Sequence, residues 1–337
     1  MNKATKLGVS ALCGSLAAIS TANAGDLTVT GGVDMSWISL EDQVTGNPIG
    51  MGSNLTFKGS GELDNGWGVA LTVAMLNQDA YSNTNVVVTV PALGDIRVDQ
   101  GTSGTGIDRI DDVVPTVWEE AYGWGLGAGI NTVAGGSAGS TIEYTPNMLP
   151  AGLAARLAWT PDAGGSNAGD KASSVTYTAA ESGWDLTLTA TSELHGMDGF
   201  TLHLGPASIS QDANVSGYSG DREESTFAAI YAVGSFTVGY QWSEEDLGTT
   251  TGAQQYDNDG YGITFAINDD LSVGYNVYKS NQSTTTDVEA EASSLQVAYS
   301  VGGLSVRLAD ASVDNALYAT AATNQRDATT LSVALAF

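Results

Sequence analysis

The sequence has few basic residues, one cysteine and no long hydrophobic run. Eleven Lys and Arg stand against 38 Asp and Glu, which gives a formal net charge of −27 over 337 residues. Neutralising phosphates requires clustered Lys and Arg, so this balance excludes a nucleic-acid binder that works through a basic face. Beyond residue 24 no segment reaches the roughly 20 consecutive apolar residues of a transmembrane helix. That absence does not make the chain soluble.

The first 24 residues have the three parts of a secretory signal peptide. The basic Lys3 and Lys6 precede a short apolar run, and Ala22-Asn23-Ala24 forms an A-x-A cleavage site. We expect cleavage after residue 24, which removes two lysines and lowers the net charge to −29. Cys13 lies inside this segment, so the mature chain would be held together without disulfides.

Composition favours a folded, turn-rich protein. Only 15% of the residues are charged and 42% are hydrophobic, so the acidic excess does not come with the low hydrophobicity of a disordered chain. Glycine accounts for 42 of 337 residues, well above its usual share of about 7%. This composition is typical of an all-β protein with many turns.

Apolar residues alternate with small or polar ones along the whole mature chain. Leu27, Val29, Val33, Met35 and Trp37 share one face of the first such segment. A period of two is the signal of a β-strand with one apolar face. The pattern returns in segments near 67–75, 184–190, 236–242, 271–277, 304–308 and 331–337.

Short turns and long polar segments separate these strands. Seven tight turns carry turn-forming residues, near 63–66, 91–94, 147–152, 181–183, 233–235, 268–270 and 301–303. Eight longer connections fall near 40–52, 77–83, 101–139, 161–171, 193–223, 245–258, 280–291 and 312–328. Fifteen connections between consecutive strands require sixteen strands.

Long loops on one side, short turns on the other and an even strand number are typical of an outer-membrane barrel. Closing the sheet leaves no unpaired strand edge in lipid. We therefore predict an all-β, 16-stranded antiparallel transmembrane β-barrel over residues 25–337. A secreted β-sandwich, a β-helix or an adhesin is the alternative. A barrel of about 16 strands leaves an aqueous channel rather than a packed interior.

Three short segments have a distinctive sequence: Ser53–Gly68, Leu93–Val98 before a long acidic loop, and the terminal Leu335-Ala336-Phe337. These segments resemble Gram-negative general porins, particularly those of the alphaproteobacterial branch. The first is similar to the second strand and first turn of that family, and in that family a C-terminal Phe is read by the barrel-assembly machinery. The resemblance implies a homotrimer in outer-membrane lipid and lipopolysaccharide. Each barrel would be water-filled and narrowed by an inward-folded third long loop.

The third long loop here is 101–139, the longest connection in the chain. It carries one base and five acids, a net charge of −4: Asp108, Arg109, Asp111, Asp112, Glu119 and Glu120. The resemblance implies that this loop presents its acids to the constriction, opposite basic residues of the barrel wall.

Four basic residues are candidates for that wall. Alternation with apolar neighbours places Lys58, Arg97, Arg156 and Arg307 on the lumen face, since charges facing lipid would cost about 2–4 kcal/mol at the midplane. Loop acids and wall bases would then create a transverse field, and the acidic excess predicts a cation-preferring lumen. The alternative is that the loop acids are solvated externally and each arginine pairs with a local carboxylate.

Signals for catalysis or cofactors are weak. Gly135–Gly139 fits the G-x-S-x-G motif without the strand and helix that the motif requires, and the only histidines, His195 and His203, offer few possible bases. Asp257–Gly260 lacks the ligand spacing of an EF-hand. We predict no enzyme activity and no cofactor.

The remaining acids belong to the external loops. We expect them to be solvated, with divalent-cation bridging to lipopolysaccharide or between subunits as the competing hypothesis.

The predicted function is therefore passive diffusion of small hydrophilic solutes and ions through an outer-membrane pore. A substrate-specific channel would share these features but would add a saturable lumen site. A non-conducting adhesin or receptor barrel would use its external loops instead.

Overall fold

The computed structural model describes residues 25–41, 46–77, 79–100, 104–137, 139–164, 179–283 and 288–337. In this part of the chain sixteen antiparallel strands form one sheet, and β1 pairs with β16, so the sheet closes into a barrel. The predicted fold class is thereby confirmed. The predicted signal peptide, residues 1–24, lies outside the described residues.

The strands follow the chain order around the barrel, each hydrogen-bonded to its two neighbours. The first eight are β1 Leu27–Glu41, β2 Ile49–Glu62, β3 Gly68–Leu76, β4 Asp79–Val90, β5 Gly94–Gln100, β6 Ser140–Pro146, β7 Leu153–Thr160 and β8 Ala180–Ala190. The second eight are β9 Phe200–Gln211, β10 Arg222–Val233, β11 Phe236–Asp246, β12 Gln255–Ala266, β13 Leu271–Ser283, β14 Val288–Val301, β15 Leu304–Asp314 and β16 Arg326–Ala336. Short helical turns occur at Gly106–Ile110, Ser192–His195, Ala316–Tyr318 and Ala322–Asn324.

The chain terminus closes the barrel. Gly31 donates its N–H to the Phe337 carbonyl at 3.1 Å, and Phe337 donates in return to the Gly31 carbonyl at 2.9 Å. The C-terminal residue thus continues the β1–β16 ladder, which satisfies backbone groups that would be costly to leave unpaired in lipid.

The outward face is apolar through the middle of each strand. On β14, for example, Val297 lies between Val273 of β13 and Leu308 of β15. Within the described residues no helix is both long and apolar enough to cross a membrane. Toward the long-connection end the outward positions become acidic. They include Glu223, Glu244, Asp246, Asp257, Asp259, Glu291, Asp310 and Asp327.

The predicted tight turn at 181–183 is wrong. Strand β8 runs through these residues, and Gly183 pairs with Ile209 of β9 next to a register shift. A glycine within a strand often marks such an irregularity rather than a turn. The segment that the prediction placed before this turn lies largely at 165–178, outside the described residues.

The predicted long loop at 193–223 is also wrong, because it contains strand β9. Phe200, Leu202 and Leu204 alternate as expected, but Pro206 follows on the same face and lowers the strand signal. Pro206 pairs with Ser225 of β10, so the strand continues past it. The predicted loop at 77–83 is likewise shorter, since β4 begins at Asp79.

We predict that Val297→Arg lowers the free energy of unfolding in lipid vesicles by about 2–4 kcal/mol, because the guanidinium would lie against lipid at the centre of the apolar band. Thr56→Arg, whose side chain faces the lumen, is the matched control and should change stability by less than about 1 kcal/mol. Equal effects of the two substitutions in denaturant titrations would contradict the assignment of the two faces.

Candidate functional site

The connection between β5 and β6 folds into the barrel and lies along its inner wall. We call its described part, residues 104–137, the inward loop. At its start Gly106 donates its N–H to Glu143 of β6 at 2.8 Å. Near its end Ala134 and Gly135 donate to Glu224 of β10 at 2.8 and 2.7 Å. Between these points the loop contacts strands as far round as β16.

Glycines in the wall leave room for the first arm of the loop. A Cβ added at Gly239 would lie 2.4 Å from Cδ of Pro115, and one added at Gly262 would lie 2.4 Å from the Pro115 carbonyl oxygen. Real Cβ atoms do not approach that closely. The absence of side chains on β11 and β12 therefore lets the loop backbone lie directly on the sheet.

Two glutamines of the wall hold the loop backbone. Gln241 accepts the Val113 N–H at 2.9 Å and donates to the Ile110 and Asp111 carbonyls at 2.9 and 2.7 Å. Gln296 accepts the N–H groups of Trp118 and Glu119 at 2.9 and 3.2 Å and donates to the Glu119 carbonyl at 2.5 Å. A side-chain amide can satisfy a donor and an acceptor together. These two residues therefore replace the backbone partners that the loop lacks.

Trp118, at the tip of the inward loop, contacts the wall near the place where β1 and β16 close the barrel. The Arg307 guanidinium of β15 lies 4.6 Å from the centre of the Trp118 ring, within the range of a cation–π contact. Arg307 in turn bonds Asp34 of β1 and Ser332 of β16, the latter at 2.8 Å. Trp124 meets Trp118 edge-on at 4.6 Å between ring centres.

The larger hydrophobic cluster lies between the loop and the wall of β13–β16, and a smaller one packs Ile107, Ile110 and Val133 of the loop against Ala207 of β9. Trp124 and Leu126 of the loop are buried against alanines and valines that face the lumen. The wall residues of this cluster include Tyr278, Ala292, Ala309, Ala311, Val313 and Ala328. Arg326 donates to the carbonyls of Leu126 and Gly127 at 2.5 and 3.0 Å, which fixes the second arm at the same place.

Wall carboxylates beneath the loop are paired with arginines. Glu143 accepts Arg109 of the loop at 2.7 and 3.0 Å, and Arg222 forms ion pairs with both Glu224 and Glu245. Asp185 is fully buried nearby, where a Cβ at Gly106 or Gly135 would lie within 2.3 Å of its carboxylate. The carboxylates of Glu143 and Glu224 thus hold the two ends of the loop.

The acids of the loop itself are half-buried and close together. Burial raises the pKa of Asp111, and the neighbouring carboxylates of Asp112 and Asp108 raise it further. Burial also raises the pKa of Asp112, with Glu120 adding to the effect. Burial raises the pKa of Glu120 to about 7, and the hydrogen bond with the Glu119 side chain adds to the effect. Within the described residues none of these acids forms an ion pair.

The four basic wall residues all face the lumen according to the strand register. Lys58 pairs with Thr28 and Thr72, Arg97 with Glu143, Arg156 with Thr187 and Arg307 with Ser332. Their partners differ. Arg97 forms an ion pair with Asp99 at 2.6 Å and Arg307 one with Asp34, whereas Lys58 is exposed. The arginine at 156 is half-buried on β7, beside the pair formed by Arg109 and Glu143.

Fewer of the described loop contacts involve strands β1–β5, where Ile38, Leu40 and Arg97 meet the inward loop. The lumen positions on these strands are mostly neutral and polar. They include Thr30, Asn54, Thr56, Thr72, Asn85 and Thr89. Lys58 is the exposed cation among them. A role of these residues in selecting ions stays a prediction.

Sequence reasoning missed the wall residues that hold the loop: Glu143, Glu224, Gln241, Glu245, Asn258, Asn276 and Gln296. Alternation places them on the lumen face, and long polar side chains at lumen positions are a usable signal. The sequence does not indicate that they bind the backbone of the loop rather than water.

The G-x-S-x-G segment belongs to the inward loop and not to the strand–turn–helix setting of a catalytic serine. Gly135–Ser137 forms a turn of the loop, and the chain then enters strand β6 rather than the helix that the G-x-S-x-G motif requires. Among the described residues no group of three or more His, Cys, Asp or Glu is placed to hold a metal ion.

A family model described as Gram-negative porin matches residues 8–316. The chain belongs to the Gram-negative porin family. No curated protein matches its sequence. Family membership and the closed barrel establish it as an outer-membrane porin channel.

Solved porin structures share this fold along nearly the whole chain. A porin refined at 1.8 Å resolution is 16% identical, with a TM-score of 0.65 over 93% of this chain and 100% of that one. The anion-selective porin from Comamonas acidovorans is 16% identical, with a TM-score of 0.63 over 93% and 100%. Salmonella typhi OmpF in complex with daunomycin is 11% identical, with a TM-score of 0.67 over 93% and 98%.

We predict that Gln296→Leu loosens the tip of the inward loop, because it removes three hydrogen bonds worth about 1 kcal/mol each. Single-channel current should become noisier, with more frequent sub-conductance states. Gln282→Leu is the matched control, since Gln282 bonds Tyr256 and not the loop. Identical current traces from both variants would show that Gln296 does not hold the loop.

Proposed function

We propose that this porin is a cation-preferring diffusion pore whose aperture lies between the inward loop and strands β1–β5. The observation that carries the proposal is an imbalance of unpaired charge. Among the described residues Asp111, Asp112, Glu119 and Glu120 have no ion-pair partner, while Arg97, Arg109 and Arg307 each have one. The charge left to act on a solute is therefore negative.

The geometry limits the transverse field that the sequence predicts. Arg97 and Arg307 are each neutralised by a neighbouring carboxylate, so they oppose the loop acids weakly. Lys58 is left on the facing wall. Among the described residues Arg156 and Arg326 also lack an ion pair, so four loop acids stand against three lumen bases. A narrow passage with low-dielectric walls focuses the field of the remaining acids and raises the local concentration of cations. One fold neighbour is described as anion-selective, so the fold leaves selectivity to the side chains.

The same proposal covers assembly and export. We infer a homotrimer in the outer membrane, surrounded by lipid and lipopolysaccharide, and a signal peptide that directs export. Family membership supports both inferences. Passage of small hydrophilic solutes requires no covalent chemistry and no cofactor.

Neutralising the four loop acids should reduce the cation preference. The variant Asp111→Asn, Asp112→Asn, Glu119→Gln and Glu120→Gln is expected to lower the potassium-to-chloride permeability ratio by at least about twofold. The ratio is measured as the reversal potential of purified protein in a planar bilayer under a KCl gradient, where a trimer inserts as steps in groups of three.

The matched control neutralises four acids that face outward: Glu223→Gln, Glu244→Gln, Asp310→Asn and Asp327→Asn. It should leave the ratio unchanged. A folded wild-type protein that gives no steps would indicate an adhesin or plugged barrel, and an anion-selective reversal would refute the cation preference.

The cation preference should also depend on pH near neutrality. A carboxyl group with a raised pKa takes up its proton at higher pH, so Asp111, Asp112 and Glu120 lose charge as the pH falls. Burial raises the pKa of Asp111 to about 9 and that of Glu120 to about 7. We therefore expect the permeability ratio to fall in steps between about pH 10 and about pH 6, well above the ordinary carboxyl range near pH 4. A ratio that stays constant down to about pH 5 would show that these acids do not control selectivity.

A further inference from the structure

A recess with a mainly apolar lining and a few polar side chains lies in the lumen wall near the tip of the inward loop. Its volume is about 490 Å³, and it is formed by β1–β3 and β14–β16. The floor is lined by small residues, among them Gly32, Gly52 and Ala334. The register places these three on the lumen face with Asp34, so the recess opens into the lumen and not toward lipid.

One cation and one anion stand side by side on its wall. Arg307 and Asp34 line the recess together with the neutral side chains of Asn54, Asn77 and Ser305. The two charged groups form an ion pair with each other, so the recess as a whole is close to electrically neutral.

Arg307 is held rigidly. Its Nη2 atom donates to Asp34 and to Ser332 Oγ, and its guanidinium carbon lies over the Trp118 ring, 4.6 Å from the ring centre. Within the described part of the chain the hydrogen bonds of Arg307 use Nη2 alone. The fork geometry of a guanidinium therefore leaves Nη1 for an added oxygen anion.

Asp34 remains accessible beside it. Its two carboxylate oxygens accept Ser332 and Arg307, and the side chain is 38% exposed. A carboxylate has about four acceptor positions. Asp34 can consequently accept further hydrogen bonds from a cationic group in the lumen.

We propose that this recess is a subsite for small zwitterions of the α-amino acid class. The solute carboxylate would bind Arg307, the ammonium group would bind Asp34, and the side chain would lie over the glycine and alanine floor. A simple anion would meet Asp34 beside Arg307, and a simple cation would meet Arg307 beside Asp34. Only a ligand with both charges at short separation complements both groups.

This inference rests on the proposed function, because it requires an open aqueous pore. It adds a weak saturable step to diffusion and moves the channel toward the substrate-specific alternative. A solute bound in the recess would also affect the tip of the inward loop, because Trp118 contacts Arg307.

The test is the single-channel potassium current in symmetrical KCl with added L-alanine. We expect a saturable reduction with half-saturation in the range of about 1–50 mM, typical of weak binding. Acetate, ethylammonium and glycerol, which have one charge or none, should have at least fivefold weaker effects. Asp34→Asn and Arg307→Gln should each weaken the effect of alanine at least fivefold.

A second variant separates binding from the anchoring of the loop. Ala334→Leu fills the floor of the recess and keeps both charges, so it should also abolish the alanine effect. Ala70→Leu is the matched control, because Ala70 faces the lumen outside the recess. It should leave the effect unchanged.

The outcomes are distinguishable. A folded wild-type protein without KCl current would refute the proposed pore itself. Normal KCl current with no alanine effect would overturn the subsite alone. An effect equal to that of acetate or ethylammonium would do the same, as would one that survives Ala334→Leu.

Discussion

The requirement to satisfy every backbone hydrogen bond in lipid determines most of this molecule. A sheet that crosses the hydrocarbon layer has no water to pair with its edges, so it must close on itself. The β1–β16 ladder and the exchange between Gly31 and Phe337 achieve that closure. Closure separates one face toward lipid from one toward the lumen, and the apolar and polar positions of each strand follow from that separation.

The interior of such a barrel has no second layer to pack against, and the inward loop supplies it. Its apolar residues cover alanines and valines on β14–β16, while its backbone is held by Gln241 and Gln296. A smaller apolar cluster of the loop packs against Ala207 of β9, so the loop is held at two places on the wall. The proposed aperture lies along β1–β5, where the loop meets Ile38, Leu40 and Arg97.

Selectivity then depends on which charges remain unpaired. Wall arginines are few, and those at 97, 222 and 307 are engaged by wall carboxylates. An arginine in such a pair positions its neighbours more than it attracts a passing anion. The excess acids of the loop have no such partners in the described residues. The same local pairing makes the Asp34–Arg307 recess nearly neutral and suited to a ligand with both signs of charge.

The sequence by itself determined the closed barrel and the face that each wall residue occupies, because a period of two assigns faces without any long-range information. The count of sixteen strands is right because the wrong turn at 181–183 added a connection that offsets the missed strand β9. It also identified the loop and its acids. It misplaced the strand boundaries around Gly183 and Pro206, where neighbouring strands override the local turn and breaker signals.

Only the tertiary structure decided which groups meet. The period of two correctly places Arg307 on the lumen face. Its contacts with Asp34 and Trp118, however, join residues that are 273 and 189 positions apart in the sequence. Alternation indicates the direction of a side chain but not the element that closes over it. The folding of the loop onto the wall, and with it the position of the passage, is therefore a property of the assembled barrel.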